Sequence, residues 1–133
     1  MAKLEKRIVI PDQLRVPAER FNYSPGIKVG NTLYMAGQVG RDAEMNVVEE
    51  TEAQFVQAME NIAAILKEAG GDFSDIVELE AWFVDLARDF PIFLPVKDRF
   101  FTGPTYPTFT AFEVGGLVQG LKVEIKCTAV LTD

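Results

Sequence analysis

The segment LKVEIKCTAVL, residues 121–131, alternates between two kinds of side chain, and this alternation decides the fold. Successive residues of a β-strand point to opposite faces of the sheet. One face of this strand carries apolar or small residues: Leu121, Val123, Ile125, Cys127 and Ala129. The other face is mixed and carries Lys122, Glu124, Lys126, Thr128 and Val130. The pattern predicts a strand that packs one face against helices and leaves the other to solvent or to a partner subunit.

A helix that can cover the apolar face is predicted to begin at Thr51. Thr51 and Gln54 have the spacing of a capping box, so Thr51 is the predicted N-cap. The pair Gly70-Gly71 supplies the stop. Apolar residues recur between these ends at helical spacing, namely Phe55, Met59, Ile62, Leu66 and Ala69.

A second helix is predicted within residues 87–101. Asp89 is a candidate for its N-cap. Pro95 predicts that the regular part starts near Leu94, because a proline inside a helix removes a backbone hydrogen bond.

The remaining segments have the composition of strands, and Gly30-Asn31 is a two-residue hairpin turn. These strand candidates are residues 6–10, 27–29, 32–36, 75–86 and 108–114. The element order is therefore β–ββ–α–β–α–ββ. It predicts one α+β domain over residues 1–133, with a mixed sheet and helices on one face.

Composition excludes several classes of function. The chain has 13 Lys and Arg against 20 Asp and Glu, a net charge of −7, and no basic cluster, which argues against nucleic acid as a partner. It has no histidine, and Cys127 is its only cysteine, so histidine-based triads, histidine-ligated zinc and cysteine-rich metal sites are excluded. No apolar run approaches the ~20 residues that cross a bilayer. The run at residues 8–10 is too short for a signal peptide, so the expected location is cytoplasmic.

Several stretches together resemble the Rid family (reactive intermediate deaminase, also called YjgF-like). They are NYSPGIKVGNTLYMAGQVG (22–40), ILKEAGGDFSDIV (65–77), FVDLARDF (83–90), YPTFTAFEV (106–114) and GLKVEIKCTAVL (120–131). The resemblance implies a chorismate-mutase-like α+β fold and a homotrimer. The open sheet faces would pack together inside it, with small-molecule ligand clefts between subunits.

The resemblance also implies a chemistry. Active members of the family hydrolyse enamines and imines such as 2-aminoacrylate to keto acids and ammonia, without a metal or organic cofactor. An arginine holds the substrate carboxylate, a glutamate positions the water, and a tyrosine and backbone amides complete the pocket. This chemistry suits a chain without histidine, because an imine carbon is already electrophilic and needs little beyond a placed water.

Carried onto this chain, the resemblance makes Glu124 the water-positioning carboxylate and Tyr23 the pocket tyrosine. Gly37 and Gln38 match the stretch whose backbone faces the cleft. Each has a simpler interpretation. Tyr23 could be an aromatic anchor of the hairpin, Gly37 a requirement of sheet geometry, and Glu124 a solvated charge between Lys122 and Lys126.

The family's arginine position is occupied by Phe109. A guanidinium makes two charge-assisted hydrogen bonds to a carboxylate and a phenyl ring makes none, a difference of about 2–5 kcal/mol for a desolvated charge. Three further positions belong to the same expected cleft: Thr110, Ala111, where the family often has cysteine, and Leu94, where a polar residue is common. The expected cleft is more apolar than usual.

Arg41, Arg88 and Arg99 are the candidates to replace the missing arginine. The sequence leaves two functions open: a divergent deaminase of an imine or enamine other than 2-aminoacrylate, or a non-catalytic trimer that binds a small apolar metabolite. Family members have also been called endoribonucleases or translation inhibitors, which an acidic chain without histidine does not support.

Overall fold

The computed structural model describes residues 3–132. Its strands are β1 (Lys6–Val9), β2 (Gly26–Val29), β3 (Thr32–Met35), β4 (Gln38–Val39), β5 (Ile76–Phe83), β6 (Thr108–Glu113) and β7 (Val123–Val130). Its helices are α1 (Arg15–Phe21), α2 (Thr51–Ala69) and α3 (Leu86–Phe100), with short 3-10 turns at Asp12–Leu14, Phe73–Asp75 and Val118–Gly120. The predicted single domain also spans residues 1, 2 and 133, which lie outside the described residues.

Within the described residues the strands form one seven-stranded sheet in the order β1-β2-β3-β7-β5-β6, and β4 pairs with β7 beside β3. β5 and β6 are parallel, and α3 connects them. β7 is antiparallel to both β3 and β5. The predicted mixed α+β sheet is therefore confirmed.

The alternation of β7 has the predicted consequence. The side chains of Val123, Ile125, Cys127 and Ala129 are buried on the side of α2 and α3. Three phenylalanines pack edge to face in this core. The ring centroid of Phe55 lies 6.3 Å from that of Phe83 and 5.9 Å from that of Phe93. Each fully buried ring of this kind stabilises the fold by about 1.5–3 kcal/mol.

The opposite face of the sheet has no covering layer in the described residues. Several large apolar side chains remain accessible on it: Ile8 (48% exposed), Tyr34 (53%), Phe112 (40%) and Val130 (46%). Trp82 lies on the same face, and its ring centroid is 5.8 Å from that of Phe112. Its indole nitrogen is buried without a hydrogen-bond partner among residues 3–132.

The predicted start of α2 at Thr51 is confirmed, but the predicted capping box, with Thr51 as N-cap, is wrong. Glu50 is the N-cap, and its carboxylate accepts a hydrogen bond from the Ala53 amide. Thr51 is the first helical residue. Gln54 does not complete a capping box, because its side chain is buried and connects two loops, donating to the Val48 carbonyl at 3.0 Å and accepting from the Lys122 amide at 2.8 Å.

The predicted start of α3 is wrong. The helix begins at Leu86 and contains both Pro91 and Pro95. Asp85 caps it by accepting from the Arg88 amide at 3.2 Å. A second carboxylate contributes from another element, because Glu113 of β6 accepts from the Leu86 amide at 3.1 Å. These two caps satisfy orphan donors of the first turn and so support a helix that continues through its prolines.

Asp89 is not the N-cap of α3. Its side chain is fully buried and binds the Arg88 guanidinium in a two-pronged ion pair of 2.9 and 3.0 Å.

The short helix α1 was not predicted. It has seven residues, too few for a periodic pattern, and it ends at Asn22, whose left-handed φ of 55° is a common helix stop. The hairpin was predicted correctly: Gly30, between β2 and β3, has a φ of +58°, which favours glycine.

Candidate functional site

Glu124 is the carboxylate around which one half of the candidate site is built. It lies on β7 opposite Val39 of β4 and Trp82 of β5, on the uncovered face of the sheet. Half-burial raises the pKa of its carboxyl by desolvation, and the nearby positive charge of Arg41 partly offsets the rise. A carboxylate with a raised pKa is better suited to exchange protons with water near neutral pH.

The interpretation of Glu124 as a solvated charge pair with its neighbours finds no support. No ion pair within 4.0 Å joins Glu124 to Lys122 or Lys126 in the part of the chain that the structure describes. The Lys122 ammonium donates instead to the hydroxyl of Thr51.

Gly37 leaves room for this carboxylate. A Cβ atom at residue 37 would overlap Oε2 of Glu124, so a side chain here would displace the glutamate. Gln38 is buried beside it, lies opposite Ile125 on the helix-facing side, and donates to the carbonyl of Ala36 at 3.2 Å. The side chain of Gln38 therefore supports the loop, whereas Gly37 directly contacts the candidate acid–base group.

Arg41 stands beside the same half-site. Its Nη1 donates to Oε1 of Gln119 at 2.9 Å, and its guanidinium lies 5.9 Å from the Phe21 ring centroid. An open groove of about 350 Å³ borders it, lined by Arg20, Phe21, Arg41, Met45, Val118 and Gln119. Of the three proposed replacement arginines, Arg41 is the one whose charge acts on Glu124.

Tyr23 follows the left-handed stop of α1, and its amide donates to the Ala18 carbonyl at 3.2 Å. Its side chain is half-buried. Among residues 3–132 no hydrogen bond joins its hydroxyl to Glu124 or to another group.

The second half of the candidate site lies between β6 and α3. Phe109 pairs with the fully buried Leu79 in the register of the sheet, so it faces the helices. Its ring stacks on Phe90 of α3, with centroids 6.2 Å apart and planes only 4° apart, and it contacts Phe93 at 6.3 Å. The stack makes Phe109 part of an apolar wall.

An apolar groove of about 330 Å³ adjoins this wall. It is lined by Leu86, Ala87, Phe90, Pro91 and Ala111. Leu94 is half-buried on the same helix. Thr110 does not join this group, because it lies opposite Glu80 on the uncovered face.

The two halves lie on opposite faces of the sheet. Glu124 pairs with Trp82, which in turn pairs with Phe112, on the uncovered face, whereas Phe109 and Ala111 point towards the helices. One chain therefore does not bring the carboxylate to the apolar groove. A site that contains both needs two chains.

A cation that the sequence analysis missed lies beside Phe109. The Lys97 ammonium is 5.0 Å from the Phe109 ring centroid, 5.6 Å from Phe101 and 5.9 Å from Tyr106. Lys97 follows Leu94 by three residues, a spacing that places both on one helix face. The predicted helix already contained both residues, but no local pattern places the rings of Phe101, Tyr106 and Phe109 around Lys97.

The other arginines named above are engaged elsewhere. Arg88 binds Asp89, and this hydrogen bond raises the pKa of the guanidinium further. Arg99 pairs with Glu52 at 3.6 Å. Cys127 offers no nucleophile, because burial raises the pKa of its thiol to about 12.

Comparison with known proteins places these features in a family. The family model described as Endoribonuclease L-PSP matches residues 14–131. A 2-iminobutanoate/2-iminopropanoate deaminase of Capra hircus is 34% identical over 98% of this chain and 93% of its own length. The RutC family protein YjgH of Escherichia coli is 31% identical over 95% of each chain.

Solved structures agree with the sequence matches. The structure of protein YJGH superposes with a TM-score of 0.91 at 30% identity, covering 98% of this chain and 99% of that one. Escherichia coli TdcF with bound serine has a TM-score of 0.78 at 28% identity and covers 83% of this chain and 88% of its own.

These matches define the class: an α+β protein whose relatives include proteins named as 2-iminobutanoate/2-iminopropanoate deaminases. The chain belongs to the Rid family, also called YjgF, as its motifs predicted. In residues 3–132 no helix is long and apolar enough to cross a membrane.

Proposed function

We propose that this protein is a cofactor-free hydrolytic deaminase of an imine or enamine other than 2-aminoacrylate, acting as a homotrimer with its sites between subunits. The observation that carries the proposal is Glu124, a half-buried carboxylate with a raised pKa, held against a glycine that leaves room for it. The relatives named 2-iminobutanoate/2-iminopropanoate deaminases support the reaction class.

In the proposed reaction, Glu124 holds a water molecule and takes one of its protons as the oxygen attacks the imine carbon. The carbon–nitrogen double bond becomes a single bond, and the proton passes through Glu124 to the nitrogen. The carbinolamine then expels ammonia and leaves a carbonyl group, so that one imine and one water give one carbonyl compound and one ammonia. An enamine first takes up a proton at carbon and loses one from nitrogen to become the imine. Positioning and proton transfer of this kind account for the roles proposed for Glu124.

The homotrimer is supported by the exposed face of the sheet. Ile8, Tyr34, Phe112 and Val130 leave apolar surface accessible there, which favours a contact between copies. Assembly through this face would bring Glu124 of one chain towards the groove of another, which a single chain cannot do. A closed ring of identical heterologous contacts gives every subunit the same site.

The apolar groove supports a substrate with a larger apolar group than 2-aminoacrylate has. Phe109, Ala111 and Leu94 replace residue types that would be charged or polar in the family pattern. Ala111 and the Phe90 ring line the groove, and Phe109 stacks on Phe90 beside it.

The test is ammonia release from 2-aminoacrylate and from the imines that an amino-acid oxidase generates from leucine and phenylalanine, in excess of spontaneous hydrolysis. We expect wild type to prefer the larger imines. Phe109→Arg should raise activity on 2-aminoacrylate by at least about tenfold, because a guanidinium can bind its carboxylate. Equal wild-type activity on 2-aminoacrylate and on the larger imines would contradict the role given to Phe109.

The second candidate function is a non-catalytic trimer that binds an apolar metabolite, and the Phe109–Phe90 stack favours it. Glu124→Gln separates the two functions. If wild type releases ammonia and this substitution abolishes the release, the protein is the deaminase. If wild type releases no ammonia from any imine, and Glu124→Gln binds the ligand as tightly as wild type does, the protein is the non-catalytic binding trimer.

A further inference from the structure

Lys97 is the cation closest to the position of the missing arginine. Its ammonium sits over the Phe109 ring at 5.0 Å, with the rings of Phe101 and Tyr106 at 5.6 and 5.9 Å. A cation over aromatic faces is attracted by the negative ring centres. The three rings therefore favour a position of the ammonium beside Phe109, whose ring stacks on Phe90 of the groove.

The charge of Lys97 is not neutralised by a carboxylate. In residues 3–132, no Asp or Glu oxygen lies within 4.0 Å of its ammonium, whereas Arg88 and Arg99 both have such partners. Aromatic faces attract the cation but leave its N–H donors without strong acceptors. An anion that enters beside Phe109 would meet donors that are still available.

We propose that Lys97 binds the carboxylate of the substrate, in place of the arginine that Phe109 replaces. The inference rests on the proposed deaminase function and names its substrate class: a 2-imino acid whose carboxylate contacts Lys97 and whose apolar side chain enters the groove at Phe90 and Ala111. Phe109 lies between these two regions, because its ring contacts Lys97 and stacks on Phe90.

The physical difference from an arginine lies in geometry. Arginine presents a planar fork that fixes a carboxylate through two parallel hydrogen bonds, whereas lysine presents a point charge on a flexible stem. A lysine clamp therefore selects for the negative charge but tolerates more positions of the carboxylate. Such tolerance suits a groove that accepts larger side chains than 2-aminoacrylate has.

The kinetic test uses the imine that an amino-acid oxidase generates from leucine. Lys97→Met keeps the apolar stem and removes the charge. It should raise KM by about 10–100-fold while kcat changes little, the range expected for one charge-assisted hydrogen bond. Lys97→Arg should restore most of the affinity. Lys67→Met, which removes an exposed lysine of α2, is the matched control and should behave as wild type.

A binding test decides the inference independently of turnover. The probes are 4-methyl-2-oxopentanoate and its uncharged methyl ester, titrated into wild type and Lys97→Met by calorimetry. We expect the substitution to weaken binding of the acid by about 10–100-fold and to leave binding of the ester unchanged. If wild type binds the acid but releases no ammonia from any imine, the deaminase proposal fails while the role of Lys97 stands.

Three results would overturn the inference. Lys97→Met could bind the acid as tightly as Lys67→Met does. Wild type could bind the acid no better than the ester. Arg41→Met, measured in parallel, could show the loss of acid binding instead, which would assign the clamp to the arginine beside Glu124.

Discussion

Glu124 combines two properties at the scale of a single residue. Its environment disfavours the charged form, since desolvation raises the pKa of the carboxyl, yet Gly37 leaves the space that this carboxylate occupies. A group held in an unfavourable charge state is more often found at a functional site than in a supporting scaffold. This combination distinguishes Glu124 from the other carboxylates of the sheet.

Glu124→Gln should increase stability while it abolishes turnover. Desolvation raises the native pKa of the carboxyl, so at a pH above that pKa the charge of Glu124 lowers the stability of wild type. The variant should therefore unfold at higher denaturant concentration, by less than about 1 kcal/mol because the carboxylate is only half-buried. Ammonia release should fall by about 10²–10⁴-fold.

The size of this stability difference depends on pH. As the pH falls through the raised native pKa, wild type takes up a proton and gains stability, so the advantage of the variant should shrink and disappear below the pKa of the unfolded state. Denaturant titrations of both proteins from about pH 4, near the ordinary pKa of glutamate, to about pH 8 measure it. A variant less stable than wild type at pH 7 would instead identify Glu124 as part of a stabilising charge pair.

Individual elements show which local signals predict structure. The alternation of β7 predicted its buried face correctly because burial on a sheet follows the period of the strand itself. The start of α3 could not be predicted in the same way. One of its two caps comes from Glu113, 27 residues later in the chain, and a distant acceptor leaves no local pattern.

The candidate site was predicted unevenly for the same reason. Glu124, Phe109 and Ala111 became candidates through their positions in motifs. That Thr110 faces away from Phe109 follows from strand alternation and needed no coordinates. The cluster of rings around Lys97 combines α3, the segment that follows it and β6, so only the folded chain reveals it.

The Glu50 N-cap of α2 leads to a prediction about the stability of the protein. Glu50→Ala should destabilise the protein by about 1 kcal/mol, because the Ala53 amide loses its acceptor at the helix N-terminus. Thr51→Ala should cost less, since Thr51 is the first helical residue and loses only a hydrogen bond to Lys122. Chemical denaturation measures the free energy of unfolding of both variants. A larger loss for Thr51→Ala than for Glu50→Ala would support the capping box that the sequence predicted.

The whole molecule is organised around a sheet with one covered and one uncovered face. The covered face carries Phe109 and the apolar groove. The uncovered face carries Glu124 and the buried indole nitrogen of Trp82, which has no hydrogen-bond partner within residues 3–132. If both halves act on one substrate, each catalytic unit must combine the uncovered face of one copy with the β6–α3 edge of another. Assembly would then be a requirement for activity as well as a source of stability.

Mixed assemblies test this requirement. Glu124→Gln removes the carboxylate and leaves the groove, whereas Ala111→Trp fills the groove and leaves the carboxylate. Each variant alone should be inactive. When the two are unfolded together in equal amounts and refolded, a site between subunits takes its halves from different chains, so about a quarter of the sites should combine two intact halves.

Ammonia release by the mixture should therefore recover to about a quarter of the wild-type value. Light scattering should give three times the chain mass of 14.8 kDa for wild type and for each variant, which shows that lost activity is not lost assembly. Refolded wild type is the control for yield. A mixture that stays inactive although all three proteins assemble normally would place Glu124 and the groove in separate functions and contradict the shared site.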